Sequence, residues 1–522
     1  MQHPISSLVI VGGGTAGWLC AAYMAKMLPQ KRDKAVKITL IESPDIKTIG
    51  VGEGTWPTMR TTLARIGISE TRFLRECSAT FKQASKFVNW RYNPGEISED
   101  FYYHLFDAPS LSWPLNPVPY WLEKCRKGEA ISYADAISVQ QQACERGLAP
   151  KTMTTPEYEG LLHYAYHLDA GKFAQLLQSV ATQDLGVEHI LANVTEIHLN
   201  GNGDIQSLDT DRAGSIQGDL FFDCTGFACK LLGDTLNVPF KSYSDILLTD
   251  SAVAIQMPYA DDEQEVKPFT QSTAQEHGWI WDIGLPHRRG TGYVYSSRYT
   301  SKEEAEQLLR NYLGSGAESL PAKHLSIKSG RREKIWQNNC VAIGLSAAFM
   351  EPLEASAIFL IEASCYMLAD MFPADRSEVD YIATQFNQSF AYRWDKVVEF
   401  IKLHYVLSGR TDSAFWRDNK DPSTWPQGLA EKLTQWKSAV PSKYEFSHAF
   451  EPFTRESYEF ILFGMQQPSA LTELSKLNAQ QDDMADEAFD VIEQRKQRLT
   501  GALTSHRALL NRINQERFPV QS

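Results

Sequence analysis

Basic residues are outnumbered in this chain. Across 522 residues, 51 Lys and Arg face 64 Asp and Glu, giving a formal charge of −13. An acidic surface argues against nucleic acid or an anionic membrane as the main partner. Cysteine is sparse, and none of the eight stands in a C-x-x-C spacing. Cys224 and Cys229 come nearest, with no histidine placed to complete a zinc site, so no metal is expected. Reduced, buried thiols in the cytoplasm are the reading that follows. No basic n-region with a cleavage site precedes the first apolar stretch, so no signal peptide is expected. Residues 8–28 are the nearest approach to a long apolar run, but clustered glycines interrupt it, and strand-then-helix explains it better than a membrane span. Internal repeats and low-complexity tracts are lacking. The segment Gly344-Leu345-Ser346-Ala347-Ala348 lacks the second glycine of a nucleophile elbow, which speaks against a serine hydrolase.

What is present organises the chain from its start. Leu8-Val9-Ile10-Val11 reads as a buried parallel strand and runs into Gly12-Gly13-Gly14-Thr15-Ala16-Gly17. An Ala/Met/Leu-rich helix follows, then a second apolar run, Val36-Lys37-Ile38-Thr39-Leu40-Ile41, closing on Glu42. This is G-x-G-x-x-G between strand and helix, with an acid ending the second strand: a dinucleotide-binding fingerprint. The glycines let backbone approach a pyrophosphate, whose charge is met by the helix N-terminus. Glu42 can accept from a ribose hydroxyl and would repel a 2′-phosphate, so FAD or NAD is favoured over NADP. No second fingerprint opens a βαβ unit, so a bound flavin would be reduced by another protein. Ile49-Gly50-Val51-Gly52-Glu53-Gly54-Thr55-Trp56-Pro57 is a poor helix or strand and reads as a cofactor-covering loop.

Further along, the pattern predicts a helix over 59–75 and a strand over 81–90, in which alternation leaves Lys82 by default a solvated charge. Phe101-Tyr102-Tyr103-His104-Leu105-Phe106 is an aromatic cluster. A helix over 165–180, a hairpin turn at Asn200-Gly201-Asn202-Gly203 and several strands between 219 and 344 follow. A helix spans 354–371, and beyond Pro373 long helices are expected at about 377–409, 427–438 and 468–515. The fold class is therefore mixed α/β: an FAD-binding, Rossmann-like core of the monooxygenase type with an appended helical C-terminal lobe. The core would be 1–373, with mixed β insertions at about 81–160 and 240–330, and the lobe 374–522.

At these residues the chain resembles the flavin-dependent tryptophan halogenases. The likeness runs from residue 1 to about 410. It rests on the glycine fingerprint through Trp18, Gly50-Val51-Gly52-Glu53, Phe81-Lys82 before Phe87-Val88-Asn89-Trp90, Gly278-Trp279-Ile280-Trp281-Asp282-Ile283, and Glu351-Pro352-Leu353-Glu354. The resemblance implies that FADH2, O2 and a halide ion, bromide or chloride, yield hypohalous acid, which crosses the protein to a lysine beside a small aromatic substrate. Lys82 matches that lysine and Glu354 the glutamate beside it. An ammonium can hydrogen-bond the oxidant, or the free amine can form a haloamine; either holds the electrophile in place. A carboxylate can stabilise the cationic ring and take its proton. The resemblance further assigns cofactor contacts to Gly12, Gly14, Thr15, Ala16, Gly17, Glu42, Gly50, Val51, Gly52, Val194, Gly344 and Leu345. It gives the halide to Ser356 and Ala357, at a helix N-terminus. His104, Phe106 and Thr454 fall to the substrate, and Trp279 and Trp281 form a gate on the flavin side.

Partners implied are the aromatic substrate and a separate NADH-dependent flavin reductase; a homodimer is left open. The family's Ser-Thr-Gly is here Ala355-Ser356-Ala357, and Gly284 replaces a proline. The segment 447–455 has no tryptophan and puts Thr454 about where the family's aromatic wall stands, which points to an indole-like ring rather than free tryptophan. Competing readings are a flavin monooxygenase that hydroxylates its substrate and a flavin-binding protein without catalysis.

Overall fold

The strand Ser7–Val11 is the spine of a six-stranded sheet, because its aliphatic side chains are buried on both faces. It pairs in parallel with Lys37–Glu42 on one side and Leu220–Asp223 on the other. Glu188–Leu191 and Cys340–Ala342 extend the parallel order outward, and Trp336–Gln337 closes one edge antiparallel. The computed structural model describes residues 3–31, 35–46, 52–108, 115–129, 131–465 and 479–515. Gly50 and Val51 lie outside the described residues.

Two glycines of the fingerprint are sterically required. Gly12 has φ +120°, and a Cβ there would lie 2.1 Å from the Cys224 carbonyl oxygen. A Cβ on Gly17 would lie 1.9 Å from the Gly12 carbonyl oxygen, so only glycine lets the helix Thr15–Lys31 close onto the strand.

A seven-stranded sheet covers the other side of the molecule, with Gly278–Gly284 buried along its whole length. Between the two sheets a three-stranded ribbon joins Gly52–Gly54, Ala165–Asp169 and Thr80–Lys82. Here the structure corrects the sequence reading. The expected strand over 81–90 breaks at Gln83, whose N–H donates to the Pro268 carbonyl. Thr80–Lys82 belongs to the ribbon, whereas Ala84–Val88 joins the large sheet. Lys82 sits at this junction and is 1 % exposed, so it is not the solvated charge that alternation suggests.

Other boundaries shift for identifiable reasons. The helix expected over 59–75 is split by Gly67 in a left-handed conformation, and Ser69 caps its second half. The helix over 165–180 begins only at Ala170, because Asp169 ends a strand and accepts from the Lys172 N–H. The helix over 354–371 starts at Ser356, since Ala355 adopts φ 52° after a short turn at Pro352–Glu354. Beyond it, Arg376–Leu407, Leu429–Trp436, Ala479–Ala502 and His506–Asn514 fill most of the expected helices, with residues 466–478 outside the described set. Arg455–Gly464 is a helix that the periodicity did not announce. Among the described residues no helix is long and apolar enough to cross a membrane.

Candidate active site

A cavity of about 630 Å³ opens at the C-terminal ends of the parallel strands, where such sheets bind ligands. Gly12, Gly14, Thr15 and Ala16 line it at the helix N-terminus, Glu42 and Val194 at one flank, and Gly52, Gly344 and Leu345 at another. The Glu42 carboxylate lies 3.0 Å from His189 Nε2, a neighbour that sequence reasoning missed. At Gly14 a Cβ would meet no protein atom within 4 Å, so the space in front of the loop is reserved for something else. Of the two tryptophans expected as a gate, only Trp281 reaches the cavity wall. Trp279 is fully buried, its ring 6.5 Å from that of Trp281. Ser356 and Ala357 line the cavity at the start of the helix Ser356–Asp370. Glu53, also in the wall, has its carboxyl pushed up to about 7 by burial.

Lys82 stands next to Gly54 behind one end of the cavity wall. Gly54, Thr270 and Ala355 line the cavity, and a Cβ on Gly54 would lie 3.3 Å from Lys82 Nζ and 3.5 Å from both Ala355 Cβ and Thr270 Oγ1. Burial brings the Lys82 ammonium down to about 8, while the nearby Glu354 charge acts in the opposite direction. The Phe106 ring centre is 5.3 Å from Nζ, within cation–π range.

Glu354 is 4 % exposed and lies between two histidines. His104 Nδ1 is hydrogen-bonded to Oε2 at 2.9 Å. His404 Nε2 stands 3.0 Å from Oε1, an ionic contact outside hydrogen-bond angles, while its Nδ1 meets the Tyr102 hydroxyl at 2.8 Å. Burial alone would raise this carboxyl, but the histidines outweigh it and hold the group at about 2. The Trp56 indole N–H donates to the Glu354 carbonyl at 2.8 Å and fixes the backbone at that turn.

Aromatic rings close the far side. Phe453 stacks on Phe400 at 3.8 Å and presents an edge to Trp56 at 5.1 Å; His104 lies 6.0 Å from Phe460. Thr454, the expected wall, is exposed at the start of the helix Arg455–Gly464, and the buried side chain there is its neighbour Phe453. His404, Tyr102, Trp56 and Phe453 escaped the sequence reading. Nothing in the sequence singled out His404, which shares the stretch 397–407 with Glu399 and Lys402.

A cavity at the C-terminal ends of a parallel sheet, opened by a glycine fingerprint and with a buried lysine and glutamate behind its wall, is the arrangement of a dinucleotide-binding protein. The tryptophan halogenase family model matches residues 7–480. Tryptophan 6-halogenase SttH from Streptomyces toxytricini is 38 % identical over 88 % of each chain. Tryptophan 7-halogenase RebH from Lentzea aerocolonigenes is 34 % identical over 97 % of this chain and 98 % of its own. The crystal structure of a tryptophan halogenase from Shewanella frigidimarina superposes with a TM-score of 0.95 at 43 % identity, covering 99 % of both chains. The chain belongs to the tryptophan halogenase family.

Proposed function

We propose that this protein is an FADH2-dependent halogenase of an indole-like aromatic substrate, supplied with reduced flavin by a separate reductase. The observation that carries the reading is the cavity that begins at the glycine fingerprint and reaches Gly54, Thr270 and Ala355, with Lys82 next to Gly54 and the Glu354 charge near Lys82. Gly12–Ala16, Glu42, Val194, Gly344 and Leu345 would hold FAD, and the free space before Gly14 fits a pyrophosphate. Reduced FAD, when bound, supplies with O2 the oxidising power that turns halide into hypohalous acid. Ser356 and Ala357 offer helix N-terminal N–H groups to the halide. Lys82 holds the oxidant, Glu354 receives the ring proton, and His104 and Phe106 with Phe453 and Phe400 keep the ring flat and dry. Incubation with FAD, a flavin reductase, NADH, bromide and indole should give a brominated product by mass spectrometry. A hydroxylated product formed without any need for halide would overturn the reading.

Gly14→Val tests the cofactor site directly. Because no protein atom lies where the new side chain would go, the chain should fold and melt as before, yet lose FAD binding in a fluorescence titration. Unchanged FAD affinity would show that the pyrophosphate sits elsewhere.

The substrate reading rests on the charges near the rings. Arg455, Glu456 and Glu459, on the helix after Phe453, are paired with one another, and Glu459 also accepts from the Tyr133 hydroxyl. They are spent on each other and form a poor clamp for an α-amino acid. Indole should therefore outcompete L-tryptophan at equal concentration, with halogen entering at its most nucleophilic carbon, C3. Preferred conversion of tryptophan at a benzo-ring carbon would sink this assignment.

Lys82 acts here as an ammonium. Since its charge is lost as pH rises through about 8, halogenated product per FADH2 consumed should fall above that pH, well before an exposed lysine would titrate. A ratio that climbs with pH would instead favour the free amine.

A further inference from the structure

The end of the cavity holds a second polar group that the reading above does not use. Thr270 starts the strand Thr270–Gln275, lines the cavity, and is 7 % exposed. Its Oγ1 lies 2.8 Å from Nε2 of His167, which is fully buried on the ribbon strand beside Thr80 and Gly54. The other ring nitrogen of His167, Nδ1, has no hydrogen-bond partner among the described residues. Burial, with the Lys82 charge nearby, holds this imidazole well below its ordinary pKa and therefore neutral, with one N–H.

That single proton can be placed. On Nδ1 it would be a buried donor without an acceptor, which folded proteins avoid. On Nε2 it donates to Thr270 Oγ1 and leaves only a bare lone pair at Nδ1, the cheaper defect. We assign it to Nε2 on this ground. The Thr270 hydroxyl is then an acceptor from His167, and its own hydrogen is free to turn toward the gap at Gly54. Lys82 Nζ and Thr270 Oγ1 both face Gly54: a Cβ built on that glycine would lie 3.3 Å from the first and 3.5 Å from the second, with Ala355 Cβ also at 3.5 Å.

We propose that Thr270, oriented by His167, donates a hydrogen bond to the oxygen of hypohalous acid held beside Gly54 between Thr270 and Lys82. The inference rests on the halogenase reading. As the carbon–halogen bond forms, the halogen–oxygen bond breaks and its electron pair stays on oxygen. The oxygen takes a proton from the Lys82 ammonium and leaves as water. The ring proton goes to Glu354 and from there restores the ammonium, so arene and hypohalous acid become haloarene and water. Thr270 keeps its proton throughout and stabilises the charge growing on oxygen. His167 is a positioning residue: it fixes which way the hydroxyl points.

Thr270→Val removes the hydroxyl and keeps the shape. Halogenated product per FADH2 consumed should fall about tenfold, the scale of one lost hydrogen bond, with the missing oxidant captured in solution by an added β-diketone. Thr270→Ser should restore the ratio to within about twofold. A readout without turnover is a crystal structure of the flavin-free chain. Water, standing in for the oxidant's oxygen, should sit between Thr270 Oγ1 and Lys82 Nζ in wild type and the Ser variant, and be absent in the Val variant. An unchanged ratio in a Val variant that melts like wild type overturns the inference, as does a Ser variant that fails to recover. A wild-type protein that makes no halogenated product at all would instead defeat the halogenase reading.

Discussion

Lys82→Ala is expected to abolish halogenated product while FADH2 continues to be consumed. The lysine is 1 % exposed next to the cavity wall at Gly54, and its only assigned task follows the formation of the oxidant. Without it, the hydroxyl of Thr270 alone cannot hold the electrophile against one ring carbon, and loss of such placement costs at least about 10²-fold. Stability should not obscure the result. Burying an ammonium is costly enough to bring its pKa to about 8, so its removal relieves a strain as well as leaving a void. Lys82→Met fills the void with an apolar chain of similar length and should fail equally. Product yield and FADH2 consumption, followed together, check both variants. Near-normal halogenation in either would mean that the oxidant reaches the substrate without this residue.

The sequence disclosed the elements whose chemistry is local. The glycine fingerprint was legible because its turn and helix follow the strand directly: Gly17 answers to the Gly12 carbonyl five residues back, although the clash that requires Gly12 comes from Cys224, far away in the chain. Glu42 was legible for the same reason. The burial of Lys82 was not, because its strand leaves one sheet for another at Gln83, and a two-residue period cannot show where a chain changes sheets. Nor was the environment of Glu354. His104 is 250 residues away in the chain and His404 lies on the helix Arg376–Leu407, so the pairings exist only once three separate elements converge. Nor could the sequence show that at 453–454 the buried side chain is Phe453 and the exposed one Thr454. Which of two neighbours faces inward at a helix start is decided by the ring of Phe400 opposite, not by propensity. Trp279 and Trp281 likewise belong to one buried strand, and the sequence could not show that Trp281 is the one that meets the cavity.

Glu354→Gln is expected to slow halogenation by roughly 10²–10⁴, the scale of a lost acid–base group. The substitution keeps the shape and leaves an amide oxygen to accept from His104, so folding and FAD affinity should survive. What goes is the charge. In the wild type the carboxyl is held at about 2, against an ordinary value of 4.5, because His104 and His404 outweigh its burial. A depressed carboxyl contributes stability above its ordinary value and gives it up only as pH falls through the folded one. Glu354 is thus ionised throughout the range from about pH 5 to 7 and should impose no acid limb on the wild-type rate there. Its low basicity does not disqualify it as the proton acceptor, since a cationic ring carrying halogen and hydrogen on one carbon is a far stronger acid than any carboxyl. The variant has a second expected signature. Glu354 is the charge that holds the Lys82 pKa up against burial, so in Glu354→Gln the alkaline fall in product per FADH2 should move below pH 8. A structural role alone would reduce the rate and leave that limb in place. Halogenation near the wild-type rate, with an unmoved limb, would remove Glu354 from the chemistry.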